Sequence, residues 1–172
     1  MTTVIVRDET PADRAHVRRV NEAAFGAPQE ADLVEALRAE GVATVSLVAE
    51  EGGEIVGHIL FSPVTFEGAG TRPLGLGLAP MAVVPSRQHQ GIGSRLARAG
   101  LDRCRALGAG FVVVLGHPAY YPRFGFVPAS RLGLRCEYDA PDEAFMAMEL
   151  VEGALEGLAG LVRYHPTFGG VE

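Results

Sequence analysis

The sequence predicts a single α/β domain with a mixed, mostly antiparallel sheet that contains a central pair of parallel strands and is flanked by helices. Two observations support this fold class. A strand–helix–strand order over residues 74–115 predicts a crossover connection, which places its two strands parallel within one sheet. Two strand-like segments over residues 45–66 flank a glycine turn at 51–53, which is typical of an antiparallel hairpin. The rest of the sheet is therefore expected to consist of antiparallel neighbours.

The N-terminal half begins with a strand and two helices. β-Branched residues recur over residues 3–7, and Pro11 suits the first turn of a helix. Gly26 and Pro28 interrupt that helix, and apolar residues then recur at helical spacing. The elements predicted for this half are a strand over 3–7, a helix over 11–25, a second helix ending at residue 41, and strands over 45–50 and 55–66.

The C-terminal half contains the strands expected to be most deeply buried. Gly75, Gly77 and Pro80 inside one strand indicate a bulge, and the apolar run 111–115 is typical of a strand buried on both faces. We expect residues 3–151 to form the domain. The elements predicted for this half are strands over 74–84, 111–115 and 144–151, a helix over 90–107, a short helical turn over 120–124, and an extension over 152–172, with apolar residues at helical intervals, that packs on the domain or on a second subunit.

Composition excludes several functional classes. The chain has 172 residues, 48% of them hydrophobic and 21% charged, as in a soluble globular protein, and no leader pattern at its start, so a cytoplasmic location is expected. Cys104 and Cys136 lack the spacing of a zinc site, so no metal is expected, and the net charge of -6 argues against nucleic-acid binding. No apolar run reaches the roughly 20 residues that cross a membrane. All 15 basic residues are arginine, which excludes a Walker A or pyridoxal-phosphate lysine.

Residues 81–96 are the part of the chain that points most clearly to a ligand. An apolar strand there passes through a glycine-containing turn into an amphipathic helix. Gly91 and Gly93 leave no side chain over the first N–H groups of that helix, and those groups have no partner within it. Because the helix dipole is positive at this end, the turn predicts a site for an anion such as a diphosphate. The same glycines could also serve only to start the helix.

The spacing Gln88-x-x-Gly91-x-Gly93 resembles the acyl-CoA loop of the GNAT superfamily of N-acetyltransferases. Residues 121–126 resemble a Tyr-x-x-x-Gly-Phe segment of that family, and residues 115–121 resemble its YhbS-type bacterial group. The resemblance implies a GNAT fold whose two parallel strands splay around acetyl-CoA, the co-substrate. The residues that it assigns to the cofactor are Met81, Ala82 and Val83, whose backbone binds the pantetheine arm, and Gln88, His89, Gln90, Gly91, Ile92, Gly93 and Ser94, which hold the diphosphate.

The resemblance also implies the reaction, which is transfer of an acetyl group to a primary amine of a small molecule or peptide by direct attack. Tyr121 matches the family tyrosine that acts as general acid and protonates the departing thiolate. An unperturbed tyrosine has a pKa of about 10 and keeps its proton at neutral pH. The general base stays open, and an acceptor amine of low pKa would need none. The candidates for the base are Glu50, Glu51, Glu54, His58 and His117.

The expected partners are acetyl-CoA and an amine acceptor, with no nucleic acid and no membrane, in a monomer or a homodimer. Two alternatives differ in class from the enzyme. The chain could be a sensor or interaction module that binds CoA on the same fold without turnover, since no acidic residue lies between Gly70 and Asp102 to serve as a strand base. It could also be a structural dimerisation unit that binds no CoA.

Overall fold

The computed structural model describes residues 3–69 and 73–170, which form two compact units. The described part of the first unit comprises residues 3–62, 79–100 and 166–170, and that of the second comprises residues 63–69, 73–78 and 101–165. The helices and strands are, in chain order, β1 Val4–Asp8, α1 Arg14–Phe25, α2 Gln29–Ala39, β2 Val45–Glu51, β3 Glu54–Ala69, β4 Gly75–Val83, α3 Ile92–Ala106, β5 Phe111–Leu115, β6 Val127–Pro128, β7 Leu134–Cys136, β8 Phe145–Glu149 and β9 Ala159–Arg163.

The sheet of the first unit is antiparallel. β1 pairs with β2, and β2 pairs with the first part of β3, with a register shift between Ala49 and Glu50. The shift lies opposite Gly57, where a Cβ atom would come within 2.9 Å of Leu96 Cδ1 on α3. Glycine at this position therefore lets α3 pack closely on β3. A glycine on α3 has the same role, because a Cβ atom on Gly100 would lie 2.3 Å from the Phe61 ring on β3.

Helices α1 and α2 bury one face each. The buried residues of α2 are Ala31, Leu33, Val34 and Leu37, at the spacing of an amphipathic helix.

A polar contact fixes the start of α1. The Asp13 carboxylate accepts hydrogen bonds from the Thr10 N–H (2.7 Å) and from the Arg7 guanidinium (2.8 Å). The hydrogen bond from Arg7 holds the pKa of Asp13 well below its usual range. The helix ends at Gly26, which adopts a left-handed conformation with φ of 70°.

The second unit is organised around β5. Gly75–Gly77 of β4 pair in parallel with Phe111–Val113 of β5, and β8 pairs antiparallel with β5 on the other side and with β6 beyond it. Residues 111–114 are buried, as the continuous apolar run predicts. Gly75 is required by packing, since a Cβ atom there would lie 2.2 Å from the Phe111 ring. The last part of β3 pairs with β9, which also pairs in parallel with β7.

The predicted fold class is confirmed, whereas several element boundaries differ from prediction. The mixed sheet contains the parallel β4–β5 pair, and α3 is shorter at both ends than the predicted 90–107. The helical spacing after residue 152 produces no helix, because left-handed Gly153 and Gly157 interrupt the chain before it forms strand β9. Strand β3 extends to Ala69, three residues beyond the predicted end at 66. Among the described residues, none of the helices is both long and apolar enough to span a bilayer.

Candidate functional site

The connection from β4 to α3 is an exposed loop with two left-handed residues. A short 3-10 helix, Pro85–Arg87, follows the strand, and Gln88 then returns to an extended conformation. His89 and Gly91 adopt φ angles of 63° and 85°, in the left-handed region that non-glycine residues rarely occupy. The Arg95 N–H then bonds to the Gly91 carbonyl (3.1 Å), which closes the first turn of α3.

Side chains of the loop hold this conformation from within the first unit. The Gln88 amide donates to the carbonyl of Val83 (2.9 Å), so the loop is tied to the end of its own strand. The Arg87 guanidinium donates to Glu51 Oε1 (2.5 Å) on β2. These two bonds anchor the loop at both ends of its 3-10 turn. The sequence does not indicate the Arg87–Glu51 pair, because strands β3 and β4 lie between the two residues in the chain.

The loop can receive an anion at the start of α3. Residues 88–91 are exposed, and no atom lies within 4 Å of the position that a Gly91 Cβ would take. The N–H groups of Ile92 and Gly93 lie in the first helical turn, where no intrahelical partner is available. Arg95, one turn further on, is exposed and makes no ion pair within the described parts of the chain. The loop therefore combines helix N–H donors with a nearby cation, as a diphosphate site requires.

The remaining residues predicted to bind the cofactor flank this loop. Ala82 is buried in β4, whereas Met81 and Val83 on either side of it are half-buried. Ile92 is buried at the start of α3, so its side chain packs in the core and only its backbone can reach a ligand. Gly93 and Ser94 are half-buried in the same turn. All the residues predicted to bind the cofactor thus lie within residues 81–94, which belong to the first unit.

Tyr121 belongs to the second unit and begins a 3-10 helix, Tyr121–Phe124, that follows β5. Its ring is 8% exposed and packs edge-on against Tyr120 and Phe126, with centroid distances of 5.1 and 5.8 Å. Gly116 makes room for it, since a Cβ atom there would lie 2.5 Å from the Tyr121 ring. Burial raises the pKa of Tyr121 to about 12. The phenol consequently keeps its proton at neutral pH, as a general acid must.

His58, one of the candidates for a general base, is fully buried in a chain of hydrogen bonds. The Asn21 amide nitrogen donates to the Val17 carbonyl (3.0 Å) and lies 3.3 Å from His58 Nδ1, which must therefore accept. The proton of the neutral ring is then on Nε2, which lies 2.9 Å from Ser46 Oγ. The Ser46 hydroxyl in turn donates to Glu9 Oε1 (3.2 Å).

This arrangement excludes His58 as a base for an external substrate. Both ring nitrogens are occupied, and burial lowers the pKa of His58 to about 3, so that the ring stays neutral. It also excludes His58 as an activator of Ser46, because the histidine proton points toward the serine oxygen. The role of His58 is to connect α1 to β2 and β3 within the first unit.

The acidic candidates separate into bound and exposed groups. Glu50 accepts from the Arg7 guanidinium (3.3 Å), and Glu51 is bound to Arg87. Glu54, at the start of β3, and His117, after β5, are exposed. Glu54 and His117 therefore remain as candidates. No cluster of three or more metal-binding side chains occurs in the part of the chain that the structure describes.

We expect His58 to remain neutral between pH 7.5 and 5, so its ring resonances in NMR spectra should not shift over this range. Because the unfolded chain binds a proton on this side chain below about pH 6.5 and the folded chain does not, stability should fall by about 2 kcal/mol between pH 7 and 5. His58→Gln should remove that part of the fall in urea unfolding, and His117→Gln should not. Titration of His58 with an ordinary midpoint would contradict the hydrogen-bond assignment.

The sequence is similar to those of N-acetyltransferases. The sequence model of the Acetyltransferase (GNAT) family matches residues 13–126. The uncharacterised N-acetyltransferase YhbS of Escherichia coli K12 is 37% identical over 166 residues, which cover 96% of this chain and 98% of YhbS. The uncharacterised N-acetyltransferase YjhQ of the same organism is 44% identical over 135 residues, which cover 77% of this chain and 75% of YjhQ.

Solved structures show the same relationship. The crystal structure of E. coli YhbS in complex with CoA matches with a TM-score of 0.91 and 36% identity, covering 98% of this chain and 93% of that one. A GNAT family acetyltransferase from Brucella melitensis in complex with acetyl-CoA matches with a TM-score of 0.79 and 38% identity, covering 96% and 98% of the two chains.

Proposed function

Since this chain belongs to the GNAT family of acetyltransferases, we propose that it transfers an acetyl group from acetyl-CoA to the primary amine of a small molecule or peptide. Two similar proteins hold CoA and acetyl-CoA in their crystal structures, which supports acetyl-CoA as the co-substrate. The observation that carries the proposal is the exposed loop between β4 and α3, whose left-handed turn leads directly to helix N–H donors. The cytoplasmic location and the monomeric or homodimeric state stay predictions.

We assign cofactor binding to the strand and loop of the first unit. The diphosphate of CoA would bind along residues 88–94 and accept hydrogen bonds from backbone N–H groups at the start of α3, such as those of Ile92 and Gly93, and Arg95 would add a positive charge. The backbone at Met81, Ala82 and Val83 would bind the pantetheine arm, which carries amide groups that can pair with a strand. Exposure of the loop favours this assignment, because the ligand can enter without displacing the packed face of α3.

The chemistry requires one bond to form and one to break. The amine nitrogen attacks the carbonyl carbon of the thioester, the C–S bond breaks, and the thiolate of CoA takes up a proton. We propose that Tyr121 gives a hydrogen bond or a proton to that thiolate as charge grows on the sulfur, since its buried phenol stays protonated at neutral pH. The nitrogen loses a proton either before attack or to a base, for which Glu54 and His117 are the exposed candidates.

Substitution of Gly91 tests the diphosphate assignment. Gly91→Glu and Gly91→Gln impose the same left-handed strain and nearly the same volume, and only the first adds a charge. A carboxylate close to a phosphate is repelled by about 1 kcal/mol or more. The dissociation constant for acetyl-CoA, measured by calorimetry, should therefore rise about tenfold further in Gly91→Glu than in Gly91→Gln. Equal constants in the two variants would place the diphosphate elsewhere.

Substitution of Tyr121 tests the proton donor and separates enzyme from sensor. Tyr121→Phe keeps the edge-on ring contacts and removes the hydroxyl, so kcat should fall about a hundredfold while the KM for acetyl-CoA is unchanged. Thiol release from acetyl-CoA with a panel of amines is the measurement, and Tyr120→Phe is the matched control. A parallel loss of binding would make Tyr121 a packing residue, and CoA binding without thiol release in the native chain would favour the sensor.

A further inference from the structure

A pocket of the first unit lies beside the start of the proposed cofactor loop. It has a volume of about 380 Å³, near the lower end of the range for small-molecule sites. One wall is a single face of α1 formed by His16, Arg19, Val20 and Ala23, at the i, i+3, i+4, i+7 spacing of neighbours on a helix. We call this cavity the acceptor pocket.

The rest of the lining of the acceptor pocket comes from the hairpin and from the end of β4. Glu54 and Ile55 begin β3, and Val84 joins β4 to the loop. The Val84 N–H donates to the Val56 carbonyl (2.9 Å), so this wall is tied to the strand that precedes the loop. A ligand in the pocket would therefore contact the residue directly before the 3-10 turn Pro85–Arg87.

Charges of opposite sign line the pocket around an apolar surface. Arg19 donates a hydrogen bond to His16 Nδ1, so the neutral His16 ring carries its proton on Nε2 and offers a second donor. Arg19 is exposed and makes no ion pair with any carboxylate among the residues that the structure describes. Glu54 is the acidic side chain of the pocket, and Val20, which is 2% exposed, contributes to its apolar surface.

We infer that the acceptor pocket binds an amine that also carries a free carboxylate, namely an amino acid or a short peptide, as the acetyl acceptor. The carboxylate pairs with the Arg19 guanidinium, whose planar donors match it, and with His16. The ammonium group pairs with Glu54, and an apolar side chain contacts Val20 and Ile55. This inference rests on the proposed function and adds the class of acceptor to it.

The two charges of the pocket favour an amino acid over ligands that carry charge of a single sign. A phosphate group would be repelled by Glu54, whereas an amino acid presents a carboxylate for Arg19 and an ammonium group for Glu54. A polyamine would leave Arg19 facing a cation. Arg19 and His16 could instead bind a phosphate of CoA, since a phosphate is also an anion. The experiment separates the two cases, because substitution of Arg19 would then lower the affinity for CoA and not the preference for a carboxylate.

The test is a binding measurement on the CoA-loaded protein, which does not depend on turnover. Leucine with leucinamide, and leucylglycine with leucylglycinamide, form two pairs that differ in the carboxylate alone. Calorimetric titration near neutral pH should show the carboxylate member of at least one pair binding about tenfold tighter than its amide, as expected for hydrogen bonds between charged groups. Equal affinities within both pairs, or no binding of any of the four compounds, would overturn the inference.

Three single variants identify the groups responsible. Arg19→Gln should reduce the preference for the carboxylate about tenfold and leave the affinity for CoA unchanged. Glu54→Gln should weaken both members of a pair by the same factor, because both carry the ammonium group. Arg14→Gln is the matched control, since Arg14 is also an exposed arginine of α1 but lines a different pocket.

Two results would contradict the assignment of Arg19. The first is an equal effect of Arg14→Gln and Arg19→Gln on the carboxylate preference. The second is a loss of CoA affinity in Arg19→Gln, which would place a phosphate of CoA against this side chain. The proposed function fails by a different result, because a chain that binds no CoA thioester would lose the transferase assignment whether or not leucine binds.

Discussion

The turn from β4 into α3 is the constraint on which the proposed activity depends. The chain must leave a strand, pass through left-handed conformations at His89 and Gly91, and enter a helix whose first N–H groups have no helical partner. A non-glycine residue in that region costs on the order of 1 kcal/mol. The bonds from Gln88 to Val83 and from Arg87 to Glu51 offset this cost and fix the loop, so the donors are oriented before any ligand arrives.

A buried series of hydrogen bonds holds α1, which lines the acceptor pocket, against the sheet of the first unit. Asn21 on α1, His58 on β3 and Ser46 on β2 are joined in one direction, from the amide through the imidazole to the hydroxyl, which ends on Glu9. Glu9 is in turn held by Arg38. Because α1 also carries Arg19 and His16, these hydrogen bonds, which hold α1 against the strands, also fix the position of the pocket's donors. His58, a candidate base in the sequence, is thus structural, whereas exposed groups of α1 line the pocket.

Much of the fold could be predicted because its signals are local. The run 111–115, the glycine turn before α3 and the hairpin each depend on residues that are neighbours in sequence. β9 could not be predicted, since its pairing with β3 joins residues about a hundred positions apart and the helical spacing of its leading segment is misleading. The pairing of His58 with Asn21 and the pocket around Arg19 could not be predicted either, because a single sequence does not show which helix face meets which strand.

The most direct test of the account is whether the amides that begin α3 bind the diphosphate. In 1H–15N spectra of the isotopically labelled chain, CoA should move the backbone N–H resonances of Gly91, Ile92 and Gly93 in a saturable way, and inorganic pyrophosphate should move the same resonances at higher concentration. Pantetheine, which lacks the diphosphate, should leave them in place. Saturable binding of CoA without movement of these three resonances would contradict the account, because the diphosphate would then lie away from the start of the helix.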